Sequence, residues 1–172
     1  MRLALTFLTL AALAFAQAPN AAKTPAPKGS PSKMTMTTAR GTFDIKTYPQ
    51  KPDNPQEEAT GFGRLTSDKQ FHGDLDATSQ GVMLASGTGA PGSSGGYVAF
   101  EKVTGKLHGR AGSFLFQHSG TMSRGATSMS VTVVPDSGTG ELTGITGKMK
   151  IIIEGKTHSY EFEYALPAAA SK

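Results

Sequence analysis

The chain has 172 residues, with 21 Gly, no Cys, no Trp and a formal net charge of +4. That length makes one ordinary domain, and the lack of cysteine excludes a disulfide scaffold, a thiolate zinc site, an iron–sulfur cluster, a Cys nucleophile and a lipid-modified cysteine anchor. At 37% hydrophobic and 17% charged residues, it is too apolar for a wholly disordered chain and low in charge for a helical bundle.

The first segment reads as an address. Met1–Arg2 is a short basic start, and Leu3 to Phe15 is apolar except for two threonines. Ala14 and Ala16 then place small residues at the −3 and −1 positions of a cleavage site, which falls between Ala16 and Gln17. This is the pattern of a secretory signal over residues 1–16, and it predicts a secreted or periplasmic protein. The apolar run is short for ~30 Å of hydrocarbon, and no second run follows, so no transmembrane segment is expected in the mature chain. An uncleaved N-terminal anchor is the alternative.

Residues 17–33 hold four prolines and no large apolar side chain. They predict a disordered, extended tether. Lys23, Lys28, Lys33 and Arg40 are unopposed, whereas from Gly41 onward 12 Lys/Arg face 13 Asp/Glu. The positive charge therefore belongs to the tail. A nucleic-acid partner is not expected, because the folded part lacks a basic face with interleaved aromatics.

From residue 34 onward no window keeps a helical period. Short alternating runs recur between glycine-containing turns, as in a sandwich or barrel. The expected strands are Met34–Tyr48, Gly61–Phe71, Leu75–Ser86, Gly96–Leu107, Ser113–Met122, Thr127–Val134, Lys148–Glu154 and Thr157–Leu166. They make an all-β domain over 34–166, followed by a disordered tail at 167–172. Residues 49–60 and 87–95 read as surface loops.

Two hairpins can be registered. A two-residue turn at Gly155-Lys156 pairs Ile153 with His158, Ile151 with Tyr160 and Met149 with Phe162. Nearly every large apolar residue then shares one face, and a one-residue slip would destroy that agreement. A turn at His108-Gly109 pairs Val103 with Phe114, Glu101 with Phe116 and Ala99 with His118. One face of this hairpin carries Tyr97, Ala99, Glu101, Val103, Phe114, Phe116 and His118. The other carries Val98, Phe100, Lys102, Leu115 and Gln117 and is also mixed, so inside and outside stay unassigned.

Four segments carry a resemblance: Gly41-Thr42-Phe43-Asp44-Ile45-Lys46, Phe71-His72-Gly73-Asp74-Leu75, Gly109 to His118, and Val133 to Gly147 with its Gly138-Thr139-Gly140-Glu141-Leu142 run. In this order they resemble a family of small bacterial proteins of unknown function with an allene-oxide-cyclase-like barrel, over about residues 38–166. A more distant similarity reaches the allene oxide cyclases and dirigent proteins. The resemblance implies an antiparallel, closed or nearly closed barrel of about eight strands with a ligand-sized interior. Related barrels often form trimers or dimers, so it also leaves a homo-oligomer open.

Glu101 and His118 fall on one face at diagonal positions, where a carboxylate and an imidazole can meet. In a dry cavity they form a candidate acid–base pair. The alternatives are a structural buried pair, or Glu101 on the outer face beside Lys102. Arg110, after a tight turn, and Gln117 are candidate ligand clamps, and Tyr97, Phe116, Tyr160 and Phe162 are candidate cavity lining. His72, His108, His118 and His158 lack metal-ligand spacing, and no metal or cofactor is expected. The leading expectation is binding of a small apolar or amphipathic molecule inside the barrel. A cofactor-free cyclase or isomerase using Glu101 and His118 is the second, and a structural or self-associating envelope protein with a filled barrel the third.

Overall fold

A computed structural model describes residues 35–168. The expected signal, its cleavage site and the tether lie outside the described residues, as do Met34 and the last four residues. Eight strands run β1 (Thr37–Gln50), β2 (Gly63–Gly73), β3 (Leu75–Ser86), β4 (Gly95–Leu107), β5 (Arg110–Ser123), β6 (Ala126–Val133), β7 (Thr146–Glu154) and β8 (Thr157–Ala165). Each pairs antiparallel with the next, and β1 pairs with β8 to close the barrel. Closure gives every strand a neighbour on both sides. Among the described residues no helix is long and apolar enough to cross a membrane.

Both registered hairpins are as their turns dictate. In the first, His108 (φ 47°) and Gly109 (φ 80°) are both left-handed, the geometry of a type I′ turn. Leu107 therefore meets Arg110 directly and β5 starts there, three residues before the sequence places it. In the second, Gly155 (φ 62°) turns the chain, and Ile153, Ile151 and Met149 face His158, Tyr160 and Phe162. The loop at 49–60 contains a single helical turn, Pro55–Glu58, because Asn54 caps it by accepting from Glu57 N at 2.8 Å. The Gly-rich loop before β4 has no bulky side chain. Backbone bonds organise it instead, with Ser93 N donating to Ala90 O at 3.0 Å.

The interior is divided along the barrel axis. At the end holding the β2–β3 and β4–β5 turns, Phe71, Leu75, Leu107, Phe114, Phe116 and Phe162 are fully buried and pack edge-on and stacked. Each such side chain contributes about 1.5–3 kcal/mol by leaving water. The segment between β6 and β7 plugs this end from below. Its 3-10 turn Gly140–Leu142 puts Leu142 and Ile145 into the core, both 1% exposed. Gly112 of β5 lets the plug approach, since a Cβ there would stand 2.1 Å from Thr139 O.

On the outer wall Val82 faces Phe100 and Leu84 faces Val98 across β3 and β4, all four exposed. The inner and outer faces of β4 are thus both apolar, which is why its orientation cannot be read from its own alternation. The ladder is uneven as well. One residue pair, Thr132 with Lys148, links β6 to β7, whereas thirteen pairs link β4 to β5.

Candidate functional site

The other half of the barrel is open. A cavity of about 170 Å³ lies inside it, and a wider apolar recess of about 500 Å³ adjoins it at the rim, sharing Leu65, Met83, Tyr97 and Met129. Ile45, Leu65, Met83, Ile151 and Ile153 give the inner cavity apolar walls, with Thr47, Ser67, Tyr97 and His158 interspersed.

Charged groups meet near its floor. Alternation from Phe71 places Lys69 inward on β2. On β3 the strict pattern Leu75, Ala77, Ser79, Gly81 points inward, and from Ala77 on its side chains are small. On β4 Glu101 lies directly across from Gly81, and on β5 His118 lies across from Ala99. Small residues opposite and beside the large polar ones make the room.

Lys69 Nζ donates to Glu101 Oε2 at 2.7 Å, and the Ser79 hydroxyl donates to Glu101 Oε1. His118 Nε2 stands 2.9 Å from the same Oε2. The contact is off the ring's N–H axis, so this buried nitrogen has no aligned hydrogen-bond partner. The side chains of Lys69, Glu101 and His118 are 8%, 3% and 7% exposed. Lys69 Nζ also lies 4.9 Å from the Phe43 ring centroid and 5.7 Å from that of Phe71, which spreads its charge over two π faces.

Burial alone would push the Glu101 carboxyl up. His118, the Lys69 ammonium and the Ser79 hydroxyl outweigh it and hold the group at about 2, below its usual 4.5. Tyr97 is pushed up, first by burial and then by the Glu101 charge. The floor is therefore a fixed ion pair with an imidazole beside it.

The structure brings Glu101, His118 and Tyr97 together around the cavity. It places the other expected site residues elsewhere. Phe116, Tyr160 and Phe162 point inward but sit in the packed half, at 0–1% exposure. The Tyr160 hydroxyl is bound there, accepting from Leu75 N at 2.9 Å and donating to His72 O at 3.1 Å. Gln117 faces outward between two inward neighbours and is exposed. Arg110 is at the plugged end rather than the open mouth, beside His108 and Tyr164. The turn it follows belongs to that end, which corrects its expected place as a clamp on a ligand in the cavity.

Lys69 and Ser79 complete the site and were not among the residues expected from the sequence. The signal for Lys69 was its i,i+2 relation to Phe71, and for Ser79 the Leu75–Ala77–Ser79–Gly81 alternation. Of the four histidines, His118 and His158 border the cavity from β5 and β8, and the other two lie elsewhere. His72 contacts Asp44 at 3.2 Å, and His108 Nδ1 lies 2.7 Å from the Tyr164 hydroxyl.

A family profile described as "Protein of unknown function (DUF3224)" matches residues 39–164. Among solved structures, the chain is similar to a crystal structure of a protein with unknown function from the DUF3224 family of Shewanella oneidensis MR-1. The two share 44% identity over 78% of this chain and 100% of that one, with a TM-score of 0.69. No curated protein matches the chain.

Proposed function

The chain belongs to the DUF3224 family of unknown function, and from that premise we propose that it is a binding protein that takes one small amphipathic molecule into the open half of its barrel. One observation carries this reading: an apolar cavity ends on a buried charged cluster, while the rest of the interior is packed. Apolar cavities of roughly 150 Å³ accept benzene-sized molecules. The adjoining rim recess brings the combined space into the range of ligand pockets, about 300–1,000 Å³. A few polar groups in an apolar wall are what orients a bound amphiphile.

Acid–base catalysis by Glu101 and His118 fits less well. A carboxyl held at about 2 stays ionised at neutral pH, so Glu101 acts as a fixed charge and is a poor proton carrier there. With the N-terminal leader read as a secretory signal, binding takes place outside the cytoplasm.

Native mass spectrometry of the protein purified from the organism that encodes it tests the proposal. The expected result is a bound small molecule that is released on denaturation. Protein that emerges empty, and takes up none of a panel of apolar and amphipathic compounds, would overturn it.

A further inference from the structure

We propose that the chamber selects amphiphiles with an uncharged polar end over otherwise identical carboxylates and ammonium ions. This rests on the binding reading above and names the ligand class.

The argument is one of charge compensation. Five titratable groups face the chamber: Lys69 from β2, Tyr97 and Glu101 from β4, His118 from β5 and His158 from β8. The deepest cation and the deepest anion already pair at 2.7 Å. The second carboxylate oxygen is occupied by Ser79, and the ammonium is further held between Phe43 and Phe71. The pair is neutral before any ligand arrives.

An anionic head would therefore bring an uncompensated negative charge into an apolar chamber, and a cationic head an uncompensated positive one. Burying an unpaired ion is far more costly than burying a hydroxyl or carbonyl that finds one hydrogen bond. The chamber wall offers that bond. Thr47, Ser67 and Tyr97 line it with hydroxyl-bearing side chains, and a hydroxyl serves as donor or acceptor. A neutral head makes that bond and leaves the ion pair intact. A carboxylate would need a second cation, and Lys69 is the one lysine or arginine among the described lining residues.

The test compares four compounds with one tail: octanol, octanone, octanoate and octylammonium. Their affinities for the leader-free chain are measured by isothermal calorimetry at neutral pH. Octanol and octanone are expected to bind at least about tenfold more tightly than either ion. Octanoate or octylammonium binding as tightly as octanol would overturn the selectivity and leave the binding reading standing. Uptake of none of the four, nor of longer-tailed analogues, would sink the binding reading and the selectivity with it.

Two variants sharpen the result. Glu101→Gln leaves Lys69 unpaired, so octanoate is expected to gain at least about tenfold and to overtake octanol. Lys69→Met leaves Glu101 unpaired and is expected to shift preference toward octylammonium. An unchanged order of affinities in a folded variant counts against compensation. If neither variant folds, the four affinities of the unmodified chain decide the matter alone.

Discussion

Ser79 on β3 donates its hydroxyl to Glu101 on β4, one diagonal step across the ladder, since Ser79 pairs with Val103 and Glu101 with Gly81. The bond fills one oxygen of a carboxylate whose other oxygen is taken by Lys69. The Lys69, Ser79 and Glu101 group thus spans three adjacent strands and is held by their register.

Breaking the pair from one side should be more costly than removing it whole. Lys69→Met or Glu101→Gln alone strands a buried ionic or polar partner, and each is expected to lower unfolding stability by about 3–5 kcal/mol. The double variant should lose less than the sum of the two by more than about 1 kcal/mol. Urea unfolding of the four proteins measures this, and strict additivity would mean that the two side chains do not depend on one another.

Acid stability should report Glu101. Its folded pKa lies below the unfolded value, so the stabilisation is fully present above about 4.5 and is lost as pH falls toward about 2. The difference corresponds to roughly 3 kcal/mol. Urea midpoints followed across that window should drop for the unmodified chain and flatten for Glu101→Gln, after the common background of the exposed carboxylates is subtracted.

Tyr160→Phe tests the packed half. It removes the acceptor for Leu75 N and the donor to His72 O, leaving a buried backbone N–H unpaired. The expected loss is about 1–3 kcal/mol, with affinity for any chamber ligand unchanged. A change in affinity at constant stability would show that the two halves are coupled.

Leu142→Ala and Ile153→Ala contrast plug with rim. Leu142 is fully buried, whereas Ile153 is 57% exposed at the cavity mouth. The first should lose about 2–5 kcal/mol and the second stay within about 0.5 kcal/mol. Thermal melts of both variants give the comparison.

The seam between β6 and β7, with its single residue pair, should be where the barrel opens first. Amides on its two sides are expected to exchange with solvent faster than those of the β4–β5 ladder under native conditions. Equal protection measured by NMR would show that side-chain packing compensates for the thin ladder.

The sequence carried the barrel and two registers plainly, because glycine turns and period-two alternation are local signals. Gly155 and the His108-Gly109 pair each fixed a hairpin to the residue. Depth along the axis was not local. Phe116 and His118 share the inner face of β5, yet one is packed core and the other borders the cavity. Strand tilt and the plug at Leu142 decide which inward residue falls in which layer. Lys69 was hidden for a different reason. A lysine in an alternating strand reads as solvent-facing, and only its shared face with Phe71, together with Glu101 on another strand, reveals it as buried.

The split interior also bears on how such a barrel can change over generations. Side chains around the mouth, such as Ile45, Tyr97 and Ile153, can be exchanged while the aromatic layer and its plug keep the melting temperature near its starting value. On the binding reading proposed above, a lineage can then change what the chamber takes up by single substitutions, without passing through an unfolded ancestor.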